Sequence, residues 1–145
     1  MTDTTPEAVR TFRWPVRGWS SLGKKELPSQ HFDVGGVSWR IDLYPQGDRD
    51  STSGYVSIYL TAVDAPRKMH VNYTLTIEGA KKHDDENAAV VSARAVRERC
   101  GMTFQKGAAS WGWRRFVSLT TLNDPDKGLV SRDDADLGTH IASVI

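Results

Sequence analysis

The strictest pattern in this chain lies in Val37–Leu43, where apolar and polar residues alternate without exception. Successive side chains of a β-strand point to opposite faces, so a period of two gives this segment one apolar and one polar face. Gly35–Gly36 precedes the run and Pro45 follows it, and these residue types turn or end a strand. The pattern therefore predicts a half-buried strand within 32–44, with Trp39 as the largest side chain of its buried face and the charged side facing water.

Other short segments alternate in the same way, and polar turns separate them. Aliphatic residues occupy every second position in Tyr55–Leu60, which places Tyr59 on the face opposite the aliphatic one. In Val71–Ile77 the apolar positions are Val71, Tyr73, Leu75 and Ile77, so Tyr73 shares the aliphatic face of its strand. Strand-like runs also occur at 11–16, 101–104, 111–117 and 135–145, whereas 19–28 is expected to form a loop. Residues 88–99 mix residue types typical of helices with valines typical of strands, so their conformation stays open. Many short strands and almost no helical periodicity predict an all-β antiparallel sandwich.

The composition argues against several classes of function. A length of 145 residues fits one domain, and a net charge of +1 is far from the concentrated basic surface that nucleic acids require. No apolar run is long enough to span a bilayer, and the first residues lack the pattern of a secretory signal. The single cysteine, Cys100, cannot form an internal disulfide. We therefore expect an intracellular protein that binds neither nucleic acid nor membrane.

Catalytic and metal-binding motifs are missing from the sequence. The four histidines stand at no spacing typical of metal ligands, and a lone cysteine does not build a structural zinc site. Neither a nucleophile motif nor a glycine-rich phosphate loop occurs. The sequence thus predicts no cofactor, no metal ion and no enzyme activity.

The aromatic residues carry the most information about function, because five tryptophans and four tyrosines are many for this length. In a strand, Trp111 and Trp113 share a face, and Gly112 between them leaves the backbone approachable. Together with the outward Tyr59, they form a candidate recognition surface, since large aromatic side chains dominate binding energies at interfaces. Packing in a second core cluster is the alternative for the two tryptophans.

In their order and spacing, several motifs resemble those of MATH domains, the meprin and TRAF homology fold. The motifs lie in Phe12–Trp14, Phe32–Gly47, Tyr55–Leu60, Trp111–Val117 and Leu122–Asp134. The resemblance covers residues 9–145 and leaves 1–8 as a flexible tail. It implies an eight-stranded antiparallel β-sandwich that binds short extended peptides in a shallow groove. The chain is similar in kind to the MATH domains of BTB/POZ ubiquitin-ligase adaptors and to the TRAF-like domains of ubiquitin-specific proteases.

The resemblance also implies where the groove lies. Its peptide-binding residues correspond here to Tyr59, Tyr73, Met102, Ser110, Trp111, Gly112, Trp113 and Arg114. Ser110 stands where relatives often carry an aspartate that meets hydroxyl groups of the ligand, so their ligand preference does not transfer. Arg114 and Arg115 beside the groove favour acidic or phosphorylated ligands through charge-assisted hydrogen bonds.

The resemblance implies a monomeric binding module for short linear motifs of partner proteins. Its expected role is substrate recognition for a ubiquitin-ligase adaptor or a deubiquitinase. A carbohydrate-binding sandwich with exposed tryptophans is the first alternative. An enzyme domain is the second alternative, and the missing catalytic motifs disfavour it.

Overall fold

In a computed structural model, the chain forms two antiparallel sheets that pack against each other. The structure describes residues 11–16, 22–23, 25–49, 52–65, 67–79, 94–122 and 137–141. The strands in chain order are β1 (Phe12–Val16), β2 (Leu27–Pro28), β3 (Phe32–Val34), β4 (Val37–Tyr44), β5 (Tyr55–Ala62), β6 (Met69–Gly79), β7 (Arg94–Phe104), β8 (Ser110–Ser118) and β9 (Leu137–Ile141). One helical turn, α1 (Leu119–Leu122), follows β8.

The strand order places β7 and β8 at the edges of their sheets. One sheet has the order β1-β9-β6-β7, and the other has the order β2-β4-β5-β8 with β3 also paired to β4. Every pair is antiparallel. The all-β antiparallel sandwich predicted from the sequence is therefore confirmed. Among the described residues, β8 pairs only with β5, so its other side is an open sheet edge.

The predicted strand within 32–44 is two strands joined by a tight turn. Gly35 and Gly36 have positive φ angles of 61° and 75°, which only glycine adopts without steric cost and which two-residue hairpin turns require. The turn pairs Val34 with Val37. This hairpin and the short β2, which lies in the predicted loop 19–28, raise the number of described strands to nine instead of the expected eight.

The segment left open by the sequence, 88–99, forms a strand where it is described. Strand β7 continues from Arg94 into the predicted strand 101–104 and pairs with β6 along its length. The pairing shifts register near Gly101, whose φ is 66° and whose N–H donates to the side chain of Asn72 at 2.7 Å. A bulge of this kind needs a residue that tolerates positive φ. Residues 88–93 and the predicted tail 1–8 lie outside the described residues.

The alternation in β4 is confirmed on its apolar face, where Val37, Trp39, Ile41 and Leu43 are all buried. Its polar face differs from the prediction, because Asp42 is buried rather than facing water. The Asp42 carboxyl has partners on both oxygens: the Arg40 Nε lies 2.8 Å from Oδ1, and the Thr61 hydroxyl donates to Oδ2 at 2.5 Å. The Glu26 side chain is hydrogen-bonded to it as well. Buried polar groups are tolerated when they are paired in this way.

Trp39 joins the two sheets at the centre of the core. Its fully buried ring meets Phe104 of the opposite sheet edge-on, with centroids 5.1 Å apart and planes at 80°. Its indole Nε1 donates to the carbonyl of Val34 at 3.2 Å, so the polar atom is satisfied as well. This side chain therefore holds the β3–β4 hairpin to the opposite sheet.

We expect Trp39→Ala to lower the free energy of unfolding by about 3–5 kcal/mol, because truncation leaves a large cavity between the sheets. Urea unfolding followed by circular dichroism measures the change. Val96→Ala serves as the control, since Val96 is 53% exposed on β7 and should change stability little. Equal effects of the two substitutions would contradict a buried Trp39.

Candidate functional site

An open cleft of about 720 Å³ follows the free edge of β8. Its lining residues are Thr52, Tyr59, Arg99, Ser110, Trp111, Gly112, Trp113, Arg114 and Arg115. Six of the eight residues predicted from the sequence are among them, and the two that are not are Tyr73 and Met102. The lining also includes Thr52, Arg99 and Arg115, of which the sequence had placed Arg115 beside the groove. The structure thus brings six of the predicted residues together in one cleft on β5 and β8.

The hydrogen bonds of β8 show which backbone groups face the cleft. The Ala62 N–H donates to the Ala109 carbonyl at 2.8 Å, so this opposed pair is hydrogen-bonded. In an antiparallel ladder, hydrogen-bonded and non-hydrogen-bonded pairs alternate. The non-hydrogen-bonded pairs that follow are Ser110 with Thr61 and Gly112 with Tyr59. The N–H and C=O groups of Ser110 and Gly112 therefore point away from β5, towards the open edge.

The side chains of β8 lie on two sides of this edge. Trp111 and Trp113 are opposite the core residues Leu60 and Ile58, so both indoles lean over the gap between the sheets. Tyr59 lies on the outer face, as the sequence pattern predicted. The cleft consequently has an outer wall that includes Tyr59 and an inner wall made by the two indoles.

Both indoles are half-buried and bridge the two sheets. The Trp111 Nε1 donates to the Thr103 carbonyl of β7 at 2.7 Å. The Trp113 ring packs against Tyr73 and Phe116, with centroids 5.6 and 5.9 Å away. The sequence left open whether these two tryptophans pack in the core or form a surface. In the structure each ring does both, with one part packed between the sheets and the other exposed at the cleft.

Tyr73, which the resemblance implied as a groove residue, is not among the residues that line the cleft. Its side chain is 0% exposed and lies beneath Trp113, because it belongs to the inward face of β6 together with Leu75. Its hydroxyl is buried without a hydrogen-bond partner among the described residues, and burial raises its pKa to about 12. Met102 is also outside the lining; it packs partly against the core, opposite Val71.

Gly112 is required by the contact between β8 and β5. A Cβ atom at this position would lie 2.1 Å from the Ile58 carbonyl oxygen and 2.7 Å from the Tyr59 Cα. Both are backbone atoms and cannot move aside without shifting a strand. The sequence assigned Gly112 to ligand access, whereas the structure shows that the sheet itself needs a glycine there.

A half-buried carboxylate fixes Tyr59, and the sequence gave no sign of it. The Tyr59 hydroxyl donates to Asp48 Oδ2 at 2.5 Å, and the Thr52 hydroxyl donates to Oδ1 at 2.8 Å. Burial alone would raise the pKa of Asp48, but hydrogen bonds from Tyr59, Thr52 and Arg49 outweigh it and hold the pKa below its usual range. Burial, followed by the bond to Asp48, raises the pKa of Tyr59 to about 12.

A bulge brings two consecutive arginines to the same cleft. Pairing between β5 and β8 shifts register between Val56 and Ile58, where the Ser57 hydroxyl donates to the Arg114 carbonyl at 2.6 Å. Neighbouring residues of a regular strand face opposite sides, but a bulge redirects one of them. Arg114 and Arg115 can therefore both line the cleft.

Among the described residues, the cleft is lined by three cations and no carboxylate. The Arg99 guanidinium lies 4.9 Å from the Trp113 ring centroid, and that of Arg115 lies 5.5 Å from the Tyr55 ring. The Arg114 side chain is 59% exposed, and its Nε comes no closer than 4.0 Å to the Asp48 carboxylate. Its guanidinium therefore retains most of its hydration. The cleft therefore offers positive charge on a partly aromatic wall.

A family model described as MATH domain matches residues 11–141. The chain belongs to the MATH domain family. It is 29% identical over 136 residues to a MATH domain and coiled-coil domain-containing protein of Arabidopsis thaliana, covering 90% of the chain and 38% of that protein. It is 25% identical over 121 residues to TNF receptor-associated factor homolog 1b of the same plant, covering 81% of the chain and 11% of that protein. It is 26% identical over 135 residues to ubiquitin C-terminal hydrolase 12 of the same plant, covering 90% of the chain and 11% of that protein.

The MATH domain spans less than half the length of each of these relatives. Family members are mainly modules of protein interaction. In the described part of the chain, no helix is long and apolar enough to cross a membrane. No group of three or more histidine, cysteine, aspartate or glutamate side chains among the described residues is placed to hold a metal ion.

We expect Gly112→Ala to destabilise the MATH domain by about 1–3 kcal/mol, the usual cost of forcing extra atoms into a well-packed site. Thermal unfolding measures the loss. Gly23→Ala is the matched control, because a Cβ at Gly23 would meet no atom within 4 Å. A Gly112→Ala variant as stable as the Gly23→Ala variant would show that β8 and β5 are not in this close contact.

Stability should fall as the pH rises from about 10 to about 12. Tyr59 and Tyr73 keep their protons to about pH 12 in the folded chain, whereas an unfolded tyrosine ionises near pH 10. The unfolded state therefore loses protons first and gains stability with pH. Urea unfolding at pH 9.5 and 11.5 measures the fall, and Tyr73→Phe should make it smaller. An unchanged slope in Tyr73→Phe would contradict the raised pKa of this residue.

Proposed function

We propose that this MATH domain binds a short, extended peptide of a partner protein along the open edge of β8. The observation that carries the proposal is the coincidence of a free strand edge with an aromatic and cationic cleft. Extended peptides add to such edges through main-chain hydrogen bonds, while side-chain pockets supply specificity. The outward backbone groups of Ser110 and Gly112 would pair with the ligand, with Tyr59 and the two indoles on either side of it.

The charge of the cleft favours a ligand that carries an acidic or phosphorylated residue. Arg99, Arg114 and Arg115 line it, and no carboxylate is among the described lining residues. Asp48 lies 4.0 Å from Arg114 and already accepts hydrogen bonds from Tyr59 and Thr52. Charge-assisted hydrogen bonds from guanidinium groups to carboxylate or phosphate are among the stronger polar contacts in proteins. This supports the preference suggested by Arg114 and Arg115 in the sequence and adds Arg99 to it.

The wider role that we propose is substrate recognition for a ubiquitin-ligase adaptor or a deubiquitinase inside the cell. Relatives named as a TNF receptor-associated factor homolog and as a ubiquitin C-terminal hydrolase support this role. The domain spans only 11% of either protein, so catalytic or assembly functions are attributed to other parts of such proteins. The domain itself would act as a monomer that recognises the partner.

The test is selection of peptides from a randomised display library, followed by calorimetry with substituted domains. We expect Tyr59→Ala to weaken binding by about 2 kcal/mol or more, as at other aromatic hot spots. Arg114→Ala should weaken the binding of acidic peptides and reduce the salt dependence of that binding. Arg67→Ala is the matched control, because Arg67 is exposed in the turn between β5 and β6 and does not line the cleft.

Two outcomes would count against the proposal. The peptides could bind Tyr59→Ala and Arg114→Ala as tightly as the unsubstituted domain while both variants remain folded, which would place the groove elsewhere. Alternatively, the library could yield no binder while a glycan array screened in parallel does. That result would favour the carbohydrate-binding alternative for the aromatic wall.

A further inference from the structure

The open edge of β8 changes its character after Arg115. Residues 110–115 line the cleft, whereas Phe116 does not. At Phe116, a side chain from β7, the edge strand of the other sheet, crosses the gap between the sheets. The Arg97 Nε donates to the Phe116 carbonyl at 3.1 Å, while Arg97 itself is exposed and does not line the cleft. The cleft therefore ends where this hydrogen bond begins.

The Phe116 carbonyl belongs to the same open edge as the outward backbone groups in the cleft. The Leu119 N–H donates to the Gly54 carbonyl at 2.8 Å, so this opposed pair is hydrogen-bonded. Because hydrogen-bonded pairs alternate along an antiparallel ladder, the pair of Val117 with Val56 is of the same kind. The backbone groups of Phe116 therefore point away from β5.

The bulge separates Phe116 from the outward groups of Ser110 and Gly112. Within the bulge, the Arg114 carbonyl accepts the Ser57 hydroxyl at 2.6 Å and is thus turned towards β5. Phe116 consequently provides the first carbonyl beyond the bulge that the ladder directs outward. A peptide strand that extended past the bulge would need this carbonyl as its next acceptor.

Arg97 occupies this acceptor with a donor that the protein supplies. An added strand is held by N–H groups that it donates to outward carbonyls and by carbonyls that accept outward N–H groups. The planar guanidinium at the Phe116 carbonyl stands where the ligand N–H would have to lie. It also fills space beside β8 that the ligand main chain would need.

We propose that Arg97 ends the peptide-binding edge of β8, so that the domain accepts an extended segment only alongside residues 110–115. This inference rests on the proposed peptide-binding function and adds a limit to the length of the segment that is recognised. The five steps from Ser110 to Arg115 correspond to roughly 17 Å along a strand, or about five or six extended ligand residues. Residues of the partner protein beyond that limit would leave the sheet without main-chain pairing.

The effect of Arg97 is distinct from that of the arginines that line the cleft. Arg99, Arg114 and Arg115 would act through their charge on acidic groups of the ligand, and salt screens such attraction at exposed sites. Arg97 would act by occupying one backbone acceptor. Its effect should therefore appear with an uncharged extension of the ligand and persist at high salt.

The experiment lengthens a peptide selected from the randomised library. Starting from the shortest peptide that retains full affinity, one threonine and one valine are added to either terminus, and calorimetry at high salt measures binding. We expect the unsubstituted domain to gain nothing from the addition at the terminus nearest Phe116. In Arg97→Met, which keeps an unbranched apolar stem but lacks the guanidinium, the same addition should tighten binding roughly three- to tenfold, the range expected for one new hydrogen bond.

Two controls separate the hydrogen bond from the loss of a charge. Lys106→Met removes a positive charge from the exposed turn between β7 and β8, outside the cleft lining. It should respond to the longer peptide as the unsubstituted domain does. Methylation of the added backbone nitrogens, which removes the donors for the Phe116 carbonyl, should abolish the gain in Arg97→Met.

Thermal unfolding shows whether Arg97→Met remains folded. Arg97→Thr repeats the test with a strand-forming side chain that is too short to reach Phe116. A gain from lengthening that is equal in the unsubstituted domain and both variants, or absent from all three, would overturn this inference and leave the proposed function intact. If the library yields no peptide, the proposed function fails and the inference fails with it.

Discussion

The close approach of β8 to β5 at Gly112 determines where every part of the cleft lies. With no side chain between the two backbones, β8 sits against Ile58 and Tyr59, and the indoles on either side of Gly112 reach over the seam between the sheets. The same contact leaves the far side of β8 unpaired in the described part of the chain. The cleft is therefore a consequence of how the sandwich closes at this edge, and the residues that form it also hold the fold together.

This shared use of residues explains the character of the cleft wall. Trp111 is tied to β7 by its indole N–H, and the Trp113 ring contacts both the Arg99 guanidinium and the buried Tyr73 ring. Tyr59 is held by Asp48 in the preceding turn. Side chains fixed in this way would lose little conformational freedom if the proposed peptide bound, which would reduce the entropic cost of binding. The aromatic wall is rigid, while the exposed Arg114 remains free to adjust.

The alternation of residue types along a single strand was sufficient to predict which side chains of that strand share a face. Alternation in β4 and β5 identified the core around Trp39, and the spacing of Trp111 and Trp113 placed both rings on one side of β8. The features that the sequence missed depend on residues brought from elsewhere. Asp42 is buried because Thr61 satisfies it from the next strand, and a period-two pattern contains no information about that partner.

The same limit applies to β7 and Gly112. In β7, Arg97 and Arg99 are paired with the core residues Leu75 and Tyr73 of β6. Apolar residues therefore do not alternate along this segment, although it is a strand. These side chains can occupy such positions because the edge lets their guanidinium groups reach other partners, as the Arg97 Nε does at the Phe116 carbonyl, 3.1 Å away. The need for glycine at 112 arises from the neighbouring backbone and is not visible in the sequence of β8.

The arginines at the two adjacent sheet edges also bear on how copies of the molecule behave towards each other. An unpaired strand is a template for any other strand, including the same strand of a second copy, and charged side chains are a common defence against such pairing. Two copies that approached edge to edge at β8 would bring Arg114 and Arg115 against their own counterparts, and like charges would repel. The positive rim thus disfavours edge-to-edge pairing of the protein with itself.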